Sequence, residues 1–110
     1  GYVIGEVEDR DVIVVDDMIT SAGSMAGAVS IAKKQGAKTV TAVATHGLFV
    51  DPAFSRLAKA GTDEVVVTDT VPPPEERPED VQFTVLSVAE LLAEAINRIH
   101  RNKSVSLLFV

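Results

Sequence analysis

The sequence predicts an α/β fold: a mainly parallel sheet flanked by helices, with an N-terminal hairpin ahead of it, spanning one domain's length. Three observations lead there. Short β-branched runs, Asp11–Asp17, Thr39–Thr45 and Glu64–Thr70, alternate with segments whose apolar residues recur at helical spacing. Glycines 36 and 61 follow two of those segments, where a left-handed C-cap ends a helix. The intervals between successive runs are long enough for crossover helices, which parallel strands require.

Tyr2–Val7 and Asp11–Asp17, joined by the polar Glu8–Arg10, read as two strands with a tight turn. The second is apolar on both faces, as a central strand is. From Gly23 to Gln35 the chain is Ala-rich, with Met25, Val29 and Ala32 on one helical face. A second buried strand ends at His46-Gly47. Asp51 is placed to cap a helix with Pro52 in its first position and Gly61 at its close. After the third strand, Val71–Asp80 carries four of the five prolines and four carboxylates, and is an exposed loop. Phe83–Val88 then forms a short strand. Ser87 and Glu90 have capping-box spacing for a helix with an apolar stripe of Val88, Leu91, Leu92, Ala95, Ile96 and Ile99. Ser104–Val110 is apolar enough to pack back on the domain or on a neighbour.

Ten Lys and Arg against sixteen Asp and Glu give a net charge of -6, which argues against nucleic acid or an anionic membrane as a general partner. Any phosphate must be gripped locally. There is no cysteine for a disulfide or a thiolate, and no apolar run long enough to span a bilayer, so a soluble cytoplasmic setting is expected. A β-rich start without an initiator Met or a signal-peptide pattern suggests a piece of a longer polypeptide.

In parallel sheets ligands sit beyond the carboxyl ends of the strands, where Asp16, Asp17, His46, Gly47 and Asp69 fall. "VIVVDDMITSAGSM", Val12–Met25, carries the chemistry. A helix entered through small residues offers unpaired backbone N–H groups and the positive end of its dipole, which favour a phosphate. Ser21, Ala22, Gly23 and Ser24 leave room for one, and the hydroxyls can donate. Two carboxylates beside a phosphate pocket make sense if they accept from sugar hydroxyls or meet the ligand's Mg²⁺. The stretch has neither the Walker lysine nor dinucleotide-fingerprint spacing. A phosphorylated sugar is therefore expected, with its hydroxyls at Asp16 and Asp17 and its phosphate over residues 20–24. His46, a lone histidine before a glycine, reads first as a hydrogen-bonded structural residue, and Asp69 as surface. Lys33 and Lys34 complement the dipole at a helix end.

"VIVVDDMITSAGSM" resembles the phosphoribosyl diphosphate signature of type I phosphoribosyltransferase folds. "ATHGLFVDPAFSRL", "DEVVVTDTVP", "SVAELLAEAINRIH" and "KSVSLLF" follow in the order seen at the C-terminal end of the ribose-phosphate pyrophosphokinase family, so that residues 1–110 resemble the C-terminal part of such a domain. The resemblance implies a transferase that moves the diphosphoryl group of Mg-ATP to the 1-hydroxyl of ribose 5-phosphate, releasing AMP, for nucleotide biosynthesis. It implies that Asp16 and Asp17 face the ribose and that Thr20, Ser21, Ala22, Gly23 and Ser24 form the 5-phosphate loop. Ser104, Val105 and Ser106 would help bind an allosteric phosphate or ADP at a subunit interface. Mg²⁺ is the implied cofactor and a dimeric or hexameric homo-oligomer the implied assembly. ATP would bind mainly through segments outside this chain, and no catalytic residue is assigned within it.

Thr20 and Ser21 stand where many members have an acid and then a Thr, and Ser24 where they have a Thr. That leaves two alternatives: a non-catalytic regulatory homologue, and a phospho-acceptor receiver domain suggested by "VIVVDD". A receiver also needs an Asp at a later strand end, where "VATHG" has none, and a Lys near the last strands.

Overall fold

The computed structural model describes residues 5–77 and 79–109. Four strands, β1 (Asp11–Ile19), β2 (Thr39–Gly47), β3 (Glu64–Thr68) and β4 (Gln82–Leu86), form one sheet in the order β1-β2-β3-β4. Every pairing is parallel, with Val12 opposite Val40, Ala42 opposite Val65 and Val65 opposite Phe83. The helices are α1 (Gly23–Lys34), α2 (Ala53–Ala60) and α3 (Ala89–His100). A strand order that always steps the same way sends crossovers of one hand to one face. α1 and α2 accordingly pack against each other, with α1 on β1 and β2.

The core lies between those helices and the sheet. Val40, Ala42 and Ala44 of β2 and Val65 and Val67 of β3 point into it and meet Met25, Val29 and Leu57, all buried. The opposite face is open. Ile13 and Val15 of β1 are 66% and 72% exposed, and β1 pairs only with β2 among the described residues. Among the described residues β1 is thus at the edge of the sheet, where its apolar run suggests a central strand. A groove of about 410 Å³ lined by Val12–Val15, Ala28, Ile31 and Ala32 follows it, away from the strand's carboxyl end.

The first half of the expected first strand, Tyr2–Val7, falls on residues 2–4, outside the described residues. Gly5–Arg10 form a bend and a turn with no strand, so a hairpin is not present among the described residues. The Asp9 N–H bonds the Gly36 carbonyl (2.8 Å) and the Lys38 N–H bonds that of Arg10 (2.8 Å), fastening this turn to the end of α1. Lys33 does more than offset a dipole. Its ammonium is 2.8 Å from the Asp63 carboxylate, whose same oxygen accepts the Val40 N–H at 2.7 Å. Burial pushes the Asp63 carboxyl up, but the Lys33 and Val40 hydrogen bonds and the Lys33 charge together hold it below its ordinary value.

Two helix starts differ from expectation. Asp51 makes no cap, and Pro52 takes the N-cap position rather than the first turn; Gly61, at φ 90°, does close α2. At α3 the Asp69 carboxylate accepts the Val88 N–H (2.8 Å), while the Ser87 hydroxyl accepts the Ala89 N–H (3.1 Å). Asp69 therefore ties the end of β3 to the start of α3, and is more than a surface acid. The Val88 N–H first, and the Ser87 hydroxyl second, hold its carboxyl below the usual range against a small opposing desolvation. Because the folded value is depressed, this tie is complete above the ordinary carboxylate range and is lost as the pH falls through the lower, folded value. An NMR titration should find Asp69 below a typical aspartate, with the Val88 amide moving in step. A titration at or above the typical value contradicts the tie.

The apolar stripe of α3 is present, but no α3 residue is buried, and Leu92, Ile96 and Ile99 are more than half exposed. Ser106–Phe109 form a 3-10 turn with Leu107 and Phe109 exposed, while Val105 and Leu108 are half-buried and Arg98 Nη1 donates to the Ser104 carbonyl at 3.3 Å, so the start of the tail is tied back to α3.

Thr62 is 4% exposed and its Oγ1 has no hydrogen-bond partner among the described residues. Removing a hydroxyl that was desolvated without compensation relieves its penalty. Thr62→Val should raise unfolding free energy by about 1 kcal/mol, read as a higher urea midpoint at unchanged slope. A lower midpoint would show that the hydroxyl has a partner in solution.

Candidate functional site

β1 runs two residues past the acids to Ile19, with Met18 opposite His46 and Ile19 opposite Gly47. Asp16 and Asp17 thus lie inside the strand's last residues rather than at its end. Both are exposed, and neither is ion-paired among the described residues. Asp16 Oδ1 accepts the Asp17 N–H at 2.7 Å, which orients that carboxylate.

Beyond Ile19 the chain turns through Thr20 and Ser21 into Ala22, at φ 64°, ψ 18°, the N-cap of α1. A left-handed alanine is disfavoured by its Cβ, and such outliers gather at ligand sites. The side chain is nonetheless buried, which secures the turn. Ala26 N–H bonds the Ala22 carbonyl at 2.9 Å, and the N–H groups of residues 21–25 have no protein acceptor among the described residues. A left-handed residue followed by a helical one also gathers successive N–H groups into an anion-binding concavity. A Cβ added to Gly23 would meet only Arg56 Nη1, at 3.7 Å, so the fold does not require glycine there.

The loop rests on the segment after β2. Leu48 and Phe49 N–H groups donate to the Ile19 carbonyl (2.9 and 3.3 Å), and the Val50 N–H to that of Thr20 (2.9 Å). Phe49 stacks on Phe54 with centroids 4.6 Å apart and leans on Phe83 at 5.3 Å, so an aromatic cluster backs this support. Arg56 of α2 donates from Nη1 to the Ser21 carbonyl at 3.1 Å.

His46 Nδ1 is 2.7 Å from the Thr70 hydroxyl, and the Thr68 hydroxyl donates to the Thr45 carbonyl at 2.7 Å. The histidine has the structural partner expected of it. Ser104 and Ser106 hydroxyls are 2.7 Å apart just beyond α3, with no hydrogen bond to the loop among the described residues. The structure gathers Asp16, Asp17 and Thr20–Ser24 at one sheet end and leaves Ser104–Ser106 in a separate segment.

Reasoning from sequence did not single out Arg56 or the capping role of Asp69. Each acts across a long sequence separation, 35 residues for Arg56 to Ser21 and 19 for Asp69 to Val88, and no periodic signal marks either.

No cluster of three His, Cys, Asp or Glu able to hold a metal occurs among the described residues. Mg²⁺, however, is commonly held by one or two carboxylates, with water and substrate phosphates completing the shell. The exposed, unpaired oxygens of Asp16 and Asp17 fit that mode.

The chain is thus a parallel α/β domain whose sheet, at its carboxyl end, presents two exposed acids and a helix entry whose unpaired amides are of the kind that favour an anion. The phosphoribosyl synthetase-associated domain family matches residues 2–110, and the chain belongs to that family. It is 49% identical over 97% of its length to the ribose-phosphate pyrophosphokinase of Corynebacterium glutamicum, covering 32% of that protein. It is 50% identical over 97% of its length to that of Bifidobacterium longum, covering 31%. The crystal structure of phosphoribosylpyrophosphate synthetase from Mycobacterium smegmatis superposes with a TM-score of 0.82 at 46% identity, over 92% of this chain and 34% of that one. The chain thus spans about a third of the length of these relatives. The matches establish the family and set aside the receiver alternative. They do not support the expected placement at the relatives' C-terminal end. No helix among the described residues is long and apolar enough to cross a membrane.

Proposed function

We propose that this chain supplies the ribose 5-phosphate site of a ribose-phosphate diphosphokinase, as part of a phosphoribosyltransferase-like domain. One observation carries the reading: among the described residues the N–H groups of residues 21–25 have no protein acceptor at the mouth of α1, beside two carboxylates that form no ion pair. The amides and the Ser21 and Ser24 hydroxyls would donate to the phosphate oxygens, with the helix dipole adding its field. Asp16 and Asp17 would accept from the ribose hydroxyls and turn the 1-hydroxyl outward. The loop has no acid of its own, since Thr20 is neutral, so the carboxylates stay with the ring and the charge-free loop with the phosphate. Asp16 and Asp17 would also hold Mg²⁺, which when bound offsets the charge of the diphosphoryl group of ATP.

Positioning the sugar is this chain's contribution to transfer of diphosphate from ATP to the 1-hydroxyl, because phosphoryl transfer depends on alignment and on cations around the moving group. The proposal includes ATP bound mainly by polypeptide outside residues 1–110, a homo-oligomer in the cytoplasm, and Ser104, Val105 and Ser106 at an allosteric anion site. These parts rest on the resemblance of the sequence to the family.

Calorimetry on the full-length protein tests the loop. Gly23→Val and Asp16→Ala should each weaken ribose 5-phosphate at least about tenfold, some 1.4 kcal/mol, while ATP affinity holds. A Cβ at Gly23 makes only ordinary contact with Arg56 Nη1, at 3.7 Å, and a thermal midpoint for each variant separates lost ligand space from a damaged fold. Unchanged sugar-phosphate affinity in both variants refutes the assignment.

A further inference from the structure

We propose that Arg56 is a positioning residue of the phosphate loop, acting from α2 by holding the Ser21 carbonyl so that the following amides face the ligand. The inference rests on the ribose 5-phosphate reading and assigns a residue beyond the loop itself. Ser21 precedes the N-cap Ala22, so its carbonyl accepts no intrahelical bond, and Arg56 Nη1 donates to it at 3.1 Å. The Ser21–Ala22 peptide is trans, so its N–H points opposite its C=O. Fixing the carbonyl toward α2 therefore turns the Ala22 N–H away from α2. That amide joins the N–H groups of Gly23, Ser24 and Met25, which the start of α1 leaves unpaired, as a donor available to an anion.

Arg56 is suited to this and engaged in little else. It is exposed, and among the described residues no carboxylate pairs with it. Its platform is rigid: the flanking Ala53 and Leu57 are buried, and Gly61 closes the helix. A planar, permanently charged guanidinium can hold a carbonyl while its other donors remain solvated. The cation also places positive charge beside a loop that receives a dianion, in a chain whose net charge is -6.

The test is calorimetry on full-length wild type, Arg56→Met and Arg56→Lys with ribose 5-phosphate and, separately, ATP, with a thermal midpoint for each protein. Arg56→Met should raise the ribose 5-phosphate Kd about tenfold while ATP affinity and the midpoint stay put. Arg56→Lys, whose ammonium can still donate to the Ser21 carbonyl, should recover part of the loss. Wild type that binds ATP but not ribose 5-phosphate overturns the loop reading and this inference with it. Wild type that binds the sugar phosphate while Arg56→Met binds it equally overturns the role of Arg56 alone. Should the Met variant lose thermal stability, the Lys variant decides: a wild-type midpoint with no recovery of affinity overturns the proposal.

Discussion

Leu57→Ala should destabilise the domain by about 2–5 kcal/mol, the cost of removing buried methyl groups and leaving a cavity that neighbours only partly fill. Leu57 is 0% exposed and shares the core with Met25 and Val29 of α1 and with Val40 and Val65 of the sheet. With Ala53 it is one of the two buried side chains by which α2 joins that core. The loss should appear as a lower urea midpoint. It should also speed exchange of the α1 and α2 amides relative to those of α3, because α3 buries no residue in this core. Uniform exchange across all three helices would count against such a division. Since α2 carries Arg56, the variant should also loosen the loop end of α1.

Gly47→Val should be comparably damaging, for the opposite reason. A Cβ at Gly47 would lie 2.5 Å from Phe49 Cε2 and 2.9 Å from Val67 Cγ1, and neither can retreat freely: Phe49 is stacked on Phe54, and Val67 is 2% exposed. Overpacking at such a site costs about 1–3 kcal/mol for modest additions, and Val adds three carbons. The displacement would propagate. Phe49 moves with the segment whose N–H groups hold the Ile19 and Thr20 carbonyls, so the base of the phosphate loop shifts as well. The expected result is a lower denaturation midpoint together with weaker ribose 5-phosphate binding in the fraction that remains folded. Gly47→Ala should show the same pair of effects at smaller size. A variant as stable as wild type would mean that the Phe49 ring has somewhere else to go.

Alternation of β-branched runs with helical periodicity was enough to place the four described strands and three helices, because those signals are local: the pleat and the helical turn each impose their own spacing on buried residues. The loop of small residues before α1 was legible for the same reason, and so was the likeness of Val12–Met25 to a phosphoribosyl signature. Local chemistry misled where a partner from elsewhere in the chain mattered. An Asp–Pro pair looked like a helix start, yet Asp51 makes no cap, while α3 takes its carboxylate from Asp69, 19 residues before Val88. The apolar run of β1 reads as a central strand from composition, but its neighbours are set by strand order, and among the described residues it lies at an edge.

By itself the sequence determined which segments become strands and helices, which glycines end them, and where a loop of small residues leads into the first helix. Only the tertiary structure decided that Arg56 holds the Ser21 carbonyl, that the segment after β2 carries the loop from below, and that Gly47 must stay bare beneath Phe49. The physical reason is one of range. Periodicity and capping propensity act over a turn or two of chain, whereas orienting a backbone amide toward a ligand takes contacts between residues that meet only after the sheet has set their distance.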